Sequence, residues 1–114
     1  MNSDTPYKDD TVIERLKQDV GEEVLPMLEQ AFKGEIETSA DTLKRSLAAS
    51  DLALFETTAH ALKSAAASFG AMQLSDICRE LEMSAKDNAS EDRLTLLLKN
   101  FGAVVKQTNK AFGF

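Results

Sequence analysis

A chain of 114 residues carrying a net charge of −6 is long enough to bury one core without metal or disulfide support, and its acidity opposes non-specific binding to nucleic acid or anionic lipid. A single cysteine, Cys78, excludes an internal disulfide and fits a reducing cytoplasm. No apolar run approaches the ~18 residues of a membrane span, and MNSDTPYKDD lacks the basic-then-apolar layout of a secretion signal. The expectation is therefore a cytoplasmic protein that engages other proteins, with no nucleic acid and no membrane among its partners.

Residues 1–9 are polar, contain Pro6 and show no period, so they read as a flexible arm ahead of one helical domain over 10–114. From Thr11 to Val20, Val12, Ile13, Leu16 and Val20 share a face, with Asp10 or Thr11 as the cap and Gly21 as the stop. That helix is too short to stand alone. Glu22 and Glu23 suit the positive end of a second helix, and Pro26 places its start near Val24. Leu25, Leu28, Phe32, Ile36, Leu43 and Leu47 carry its apolar face to Ala48, with Gly34 either a weak point or a close helix contact.

Ser50 and Asp51 cap the third helix, the stretch that organises the rest. Leu52, Phe55, Ala59, Leu62, Ala66 and Phe69 are spaced alternately three and four residues apart, one stripe of a bundle helix. His60, the only histidine, lies roughly 130° from the middle of that stripe at 100° per residue. Its own strip carries Ala53, Thr57, Ser64 and Ala67, where a solvated face would more often carry Lys, Glu or Gln. Glu56 and Lys63 form the rim between the two. An exposed imidazole among small neighbours suits a second protein that must approach the ring nitrogen, so Ala53, Glu56, Thr57 and Ala67 read as partner-binding.

Gly70 ends the third helix. A fourth, from Met72 to Asp87, buries Leu74, Ile77, Cys78 and Leu81, with Asn88 as its end cap. Ser90, Glu91 and Asp92 start a fifth, whose stripe is Leu94, Leu97, Leu98, Phe101, Val104, Val105, Thr108 and Phe112. Nothing alternates with period two. The fold class is all-α: an up-and-down antiparallel four-helix bundle with a short additional N-terminal helix acting as a lid. The apolar residues of that lid, where exposed beside His60, would form a docking patch.

The scattered glycines form neither a P-loop nor a dinucleotide fingerprint, so the chain has no nucleotide site and no kinase machinery of its own. One histidine and one cysteine on different helices lack the paired spacing of a zinc site, and no serine sits at a strand-to-helix elbow. His60 remains as a lone nucleophile. An exposed neutral imidazole offers a free lone pair and needs no added base to attack a carboxyl–phosphoryl anhydride, a step in which positioning and charge neutralisation carry the catalysis.

The segment His60-Ala-Leu-Lys63-Ser64-Ala-Ala-Ala67-Ser-Phe-Gly70-Ala resembles the histidine-containing phosphotransfer (HPt) motif, in which His is followed by Leu at two, Lys at three, a small residue at four and Gly at ten. Its wording is most like the stand-alone members of quorum-sensing relays. The resemblance implies that His60 accepts a phosphoryl group from the receiver domain of a hybrid sensor kinase and passes it to the receiver domain of a response regulator. It also implies that Lys63 neutralises the phosphoryl oxygens and that Ser64 keeps the approach clear. No cofactor of its own is expected; Mg2+ belongs to the partner receiver. A monomer is expected, because a second subunit over the strip would block the histidine.

Two positions depart from the family pattern. Ser64 stands where many members have Gly, and Glu82, twenty-two residues after His60, stands where many have Gln. Glu82 is expected to accept from the Nδ1–H of His60, leaving Nε2 as the nucleophile. Lys86, one turn on, matches a basic family position that contacts incoming phosphate, or forms an ordinary i,i+4 pair with Glu82. Two rival classes stay open: a non-catalytic adaptor using the same strip, and a metal-binding bundle.

Overall fold

In the computed structural model, which describes residues 5–114, the four long apolar stripes each become the buried side of a helix. The elements are α1 (Asp10–Val20), α2 (Leu25–Ala48), α3 (Leu52–Ser68), α4 (Met72–Lys86) and α5 (Glu91–Phe112), with no strand among the described residues. Connections of three or four residues force consecutive helices to run antiparallel. α2 packs on α3, α3 on α4, α4 on α5, and α5 closes the ring on α2, while α1 lies against α2. This is the four-helix bundle with a short leading helix that the periodicity implies.

α1 is capped by Asp9, one residue earlier than the expected Asp10 or Thr11. The extended backbone of Asp9 turns its carboxylate back to accept from the Thr11 N–H at 3.0 Å. None of α1 is fully buried; Val12, Ile13, Leu16 and Val20 are half-buried, as befits a single helix laid on the outside of a bundle. Glu22 and Glu23 precede α2 without capping it, and Glu22 instead pairs with Lys17 of α1 at 3.3 Å. Around Gly34 there is open space where a Cβ would stand, so it is not a close helix contact.

α2 buries Leu25, Phe32, Ile36 and Leu43, with Ser39 and Ser46 filling the face between them. The Ser46 hydroxyl satisfies itself on the Leu43 carbonyl at 3.1 Å. At one end of the bundle Phe69 stacks on Phe32 at 4.5 Å, and Phe112 meets the Phe32 ring edge-on at 5.7 Å. Cys78 is fully buried, and burial pushes its thiol pKa up to about 12. No helix among the described residues is long and apolar enough to cross a membrane.

α3 starts as its sequence dictates. The Asp51 carboxylate accepts from the Leu54 N–H at 3.1 Å, one of the orphan donors of the first turn. An Asp51→Ala protein is expected to lose ~1 kcal/mol in denaturant unfolding with an unchanged m-value.

α4 has no side-chain cap. Its start is served by the segment before α1: the Pro6 carbonyl accepts from the Gln73 N–H at 3.1 Å, and the Thr5 carbonyl accepts from Gln73 Nε2 at 2.8 Å. The Asp9 N–H donates to the Gly70 carbonyl at 2.8 Å. Of the arm expected over 1–9, residues 1–4 lie outside the described residues, and residues 5–9 run along the α3–α4 turn.

Candidate functional site

The stripe that buries Phe55, Ala59, Leu62 and Ala66 sets the rotation of α3, and that rotation turns His60 outward. Its side chain is 59% exposed. Ala53, Thr57, Ser64 and Ala67 are all exposed on the same strip, with the Thr57 hydroxyl donating to the Ala53 carbonyl at 2.9 Å. The Ser64 hydroxyl points back along its own helix to the His60 carbonyl at 3.3 Å. The strip is low because its side chains are short and two of its hydroxyls are folded onto the backbone. Glu56 and Lys63 are half-buried at its edge, facing α4.

α4 supplies the rest. Leu74, Cys78 and Leu81 point into the core, which leaves Ser75 and Glu82 on the side that meets α3. The Ser75 hydroxyl donates to the Lys63 carbonyl at 3.1 Å and ties the helices together just below the site. The Glu82 side chain is only 6% exposed and serves two donors on α3: Oε2 lies 2.7 Å from His60 Nδ1, and Oε1 accepts from Lys63 Nζ at 2.7 Å. With the carboxylate accepting from Nδ1–H, the proton sits on Nδ1 and the lone pair on the outward Nε2.

A buried carboxylate needs compensating charge, and here two ammonium groups supply it. Lys63 is in direct contact; Lys86 stands 3.7 Å from Glu82 Oε2 and 3.8 Å from Glu56 Oε1, spanning the α3–α4 groove. Lys86 is thus more than a surface i,i+4 partner, since it also reaches across to α3. The Lys63 hydrogen bond holds the Glu82 carboxyl below the ordinary carboxylate value of 4.5; burial acts in the opposite sense, and the His60 contact adds to the lowering.

A carboxyl lowered on folding stabilises the native state above its unfolded pKa and ceases to do so as pH falls through its lower folded value. The contribution of Glu82 is therefore full at neutral pH and is lost progressively below about 4.5. Glu82→Gln, which has no such titration, is expected to lose less stability than wild type between pH 7 and the acid limb, as read by urea unfolding at each pH.

His60, Lys63 and Lys86 thus converge on the Glu82 carboxylate, while Ala53, Thr57, Ser64 and Ala67 leave the approach to His60 low. Two features carry no signal in the sequence: Lys63 is already bonded to Glu82, and Ser75 braces the pair. α1 packs by the α3–α4 turn, and at 1.5 Å per residue Gly70 lies ~15 Å along α3 from His60. Among the described residues no three His, Cys, Asp or Glu side chains converge to hold a metal ion.

An exposed imidazole, fixed by a neighbouring helix and ringed by small residues on a four-helix bundle, defines a class that the comparisons identify. A model of the Hpt domain matches residues 27–107, and the chain belongs to that family. Among individual proteins it is similar to the phosphorelay protein LuxU of Vibrio cholerae serotype O1, 34% identical over 100 residues that span 88% of each chain. LuxU of Vibrio harveyi is 33% identical over 81 residues, 71% of each chain. In structure it resembles the crystal structure of histidine-containing phosphotransfer protein B (HptB) from Pseudomonas aeruginosa PAO1, with a TM-score of 0.86 and 27% identity, covering 95% of this chain and 92% of that one.

Proposed function

We infer that this protein carries a phosphoryl group on His60 between the receiver domain of a hybrid sensor kinase and that of a response regulator. The observation that carries the reading is an exposed imidazole whose Nδ1 is held 2.7 Å from the buried carboxylate of Glu82, leaving Nε2 toward solvent.

The chemistry follows from that tautomer. Nε2 attacks the phosphorus of a receiver aspartyl phosphate; the P–O bond breaks and its electron pair stays on the aspartate carboxylate. The reverse step hands the group to a second aspartate. Neither direction needs a proton to leave or enter the ring, so no base is required beyond the orienting carboxylate. Mg2+ on the receiver neutralises the phosphoryl oxygens from its side, and Lys63 and Lys86 supply positive charge from this one. Ala53, Thr57, Ser64 and Ala67 let the receiver surface close over the ring, Glu56 lies at the edge of that contact, and a monomer leaves the strip open. Resemblance to LuxU at the motif favours quorum sensing as the pathway and the cytoplasm as the compartment.

Transfer of labelled phosphate from phosphorylated receiver domains of the organism's hybrid sensor kinases, with His60→Gln alongside, tests this reading. Label on wild type alone, stable to base and lost in acid, supports it.

A further inference from the structure

Twenty-two residues after His60 the chain carries an acid, Glu82, that is buried and shared between the nucleophile and Lys63. We propose that the negative charge of Glu82 sets the lifetime of the phosphorylated state, keeping the His60 phosphoryl group labile and ready to leave. This rests on the reading of His60 as the phosphoryl acceptor.

When Nε2 bonds to phosphorus and Nδ1 keeps its proton, the imidazole becomes cationic. A carboxylate 2.7 Å from Nδ1 stabilises that cation far better than an amide oxygen would. When the Nε2–P bond then breaks, its electron pair returns to Nε2 and the group that departs from phosphorus is a neutral imidazole still carrying Nδ1–H. If the proton were lost from the phosphorylated ring, the departing group would be an imidazolide anion, a much poorer leaving group. Glu82 therefore holds the ring in the form from which phosphate is most easily taken.

Charge balance acts in the same direction. Glu82 and Glu56 from α4 and α3 face Lys86 and Lys63, and the four formal charges cancel before phosphorylation. A phosphoryl group adds about two negative charges, and Lys63 cannot serve it fully without loosening its 2.7 Å bond to Glu82. The buried carboxylate and the phosphoryl group thus compete for one ammonium. An amide at position 82 has no charge and only one oxygen, so it neither holds the proton on a cationic ring nor competes for Lys63, which is left to the phosphoryl group. Removing a unit charge this close to a partly exposed site is expected to change the lifetime about tenfold, equivalent to ~1.4 kcal/mol.

The test uses the full chain and a small chemical donor. His60 is phosphorylated with potassium phosphoramidate, excess donor is removed, and decay of the phosphohistidine at neutral pH is followed by phosphorus NMR. Glu82→Gln is expected to lengthen the half-life about tenfold, while Glu82→Asp, which keeps the charge, stays within about threefold of wild type by the same reasoning. Nitrogen-15 spectra of phosphorylated wild type are expected to show the proton retained on Nδ1, and those of Glu82→Gln to show it lost. An unchanged or shorter half-life for Glu82→Gln overturns the proposal, as does a Glu82→Asp half-life lengthened as much as that of Glu82→Gln. Should Glu82→Gln fail to fold, a phosphorylated wild type without a proton on Nδ1 at neutral pH overturns it, and one with the proton supports it. Failure of the relay reading looks different: phosphoramidate would label His60, yet no receiver would give or take the group.

Discussion

His60→Gln is expected to fold as the wild type does and to take up no label from any phosphorylated receiver. The fold half of that expectation follows from exposure. The imidazole side chain is 59% exposed, and its one polar contact among the described residues is the 2.7 Å bond to Glu82 Oε2, which a glutamine amide N–H can replace as a donor. A stability change within ~1 kcal/mol follows, typical of substitutions outside the core. Complete loss of labelling follows because nothing nearby can take over. The Ser64 hydroxyl is directed to the His60 carbonyl, and Cys78 is buried with its thiol pushed up to about 12. Loss of label with retained receiver binding, read by calorimetry, separates chemistry from docking: the imidazole contributes the reaction and the strip contributes the contact. If His60→Gln also restores signalling in a deletion strain, the adaptor reading replaces the relay.

The bundle was legible because periodicity is a property of one helix at a time. Phe55, Ala59, Leu62 and Ala66 mark the buried side of α3 wherever its neighbours sit, and His60 points outward as a corollary. The site is a property of two helices. Glu82 follows Leu81 by about 100° around α4, at the border of its apolar stripe, and pattern alone does not tell whether a border carboxylate is solvated or buried. Only the rotation of α4 against α3 decides this, and it brings both carboxylate oxygens within 2.7 Å of donors on the facing helix. Glu82 is marked in the sequence only by its spacing of twenty-two residues from His60, a position the family resemblance singles out. Its bond to Lys63 had no such signal.

Ser75 reads as a polar interruption in α4, yet its small hydroxyl lets α3 and α4 approach and then bonds to the Lys63 carbonyl. Residues 5–9 show no period because they are held by backbone carbonyls and N–H groups, which every residue has. Asp9, Asp10 and Thr11 are equally competent caps by type; the bond of the Asp9 N–H to the Gly70 carbonyl fixes where the helix begins.

Gly70→Ala is expected to be the most damaging single-methyl addition at any glycine of this protein, costing about 2–4 kcal/mol of folding stability. Two penalties coincide there. Gly70 has φ +74, a left-handed backbone that costs an L-residue ~1–2 kcal/mol. A Cβ would also stand 2.9 Å from the Asp9 carbonyl oxygen and 3.0 Å from Val12 Cβ, so the start of α1 must move. Asp9 both caps α1 and donates its N–H to the Gly70 carbonyl at 2.8 Å, so the displacement strains the cap and the tether together. Gly113→Ala is the control: its φ is +76, but nothing lies within 4 Å of the added methyl, and only the backbone penalty applies. Urea unfolding should separate the two variants by at least ~1 kcal/mol, and amide exchange in Gly70→Ala should accelerate through α1 before α3 and α4. Equal costs would mean that α1 yields without resistance and that its contacts with the turn contribute nothing to stability. Because Gly70 is ~15 Å along α3 from His60, the folded fraction of Gly70→Ala should still accept phosphate at close to the wild-type rate, which places the role of this motif glycine in docking α1 rather than in the transfer itself.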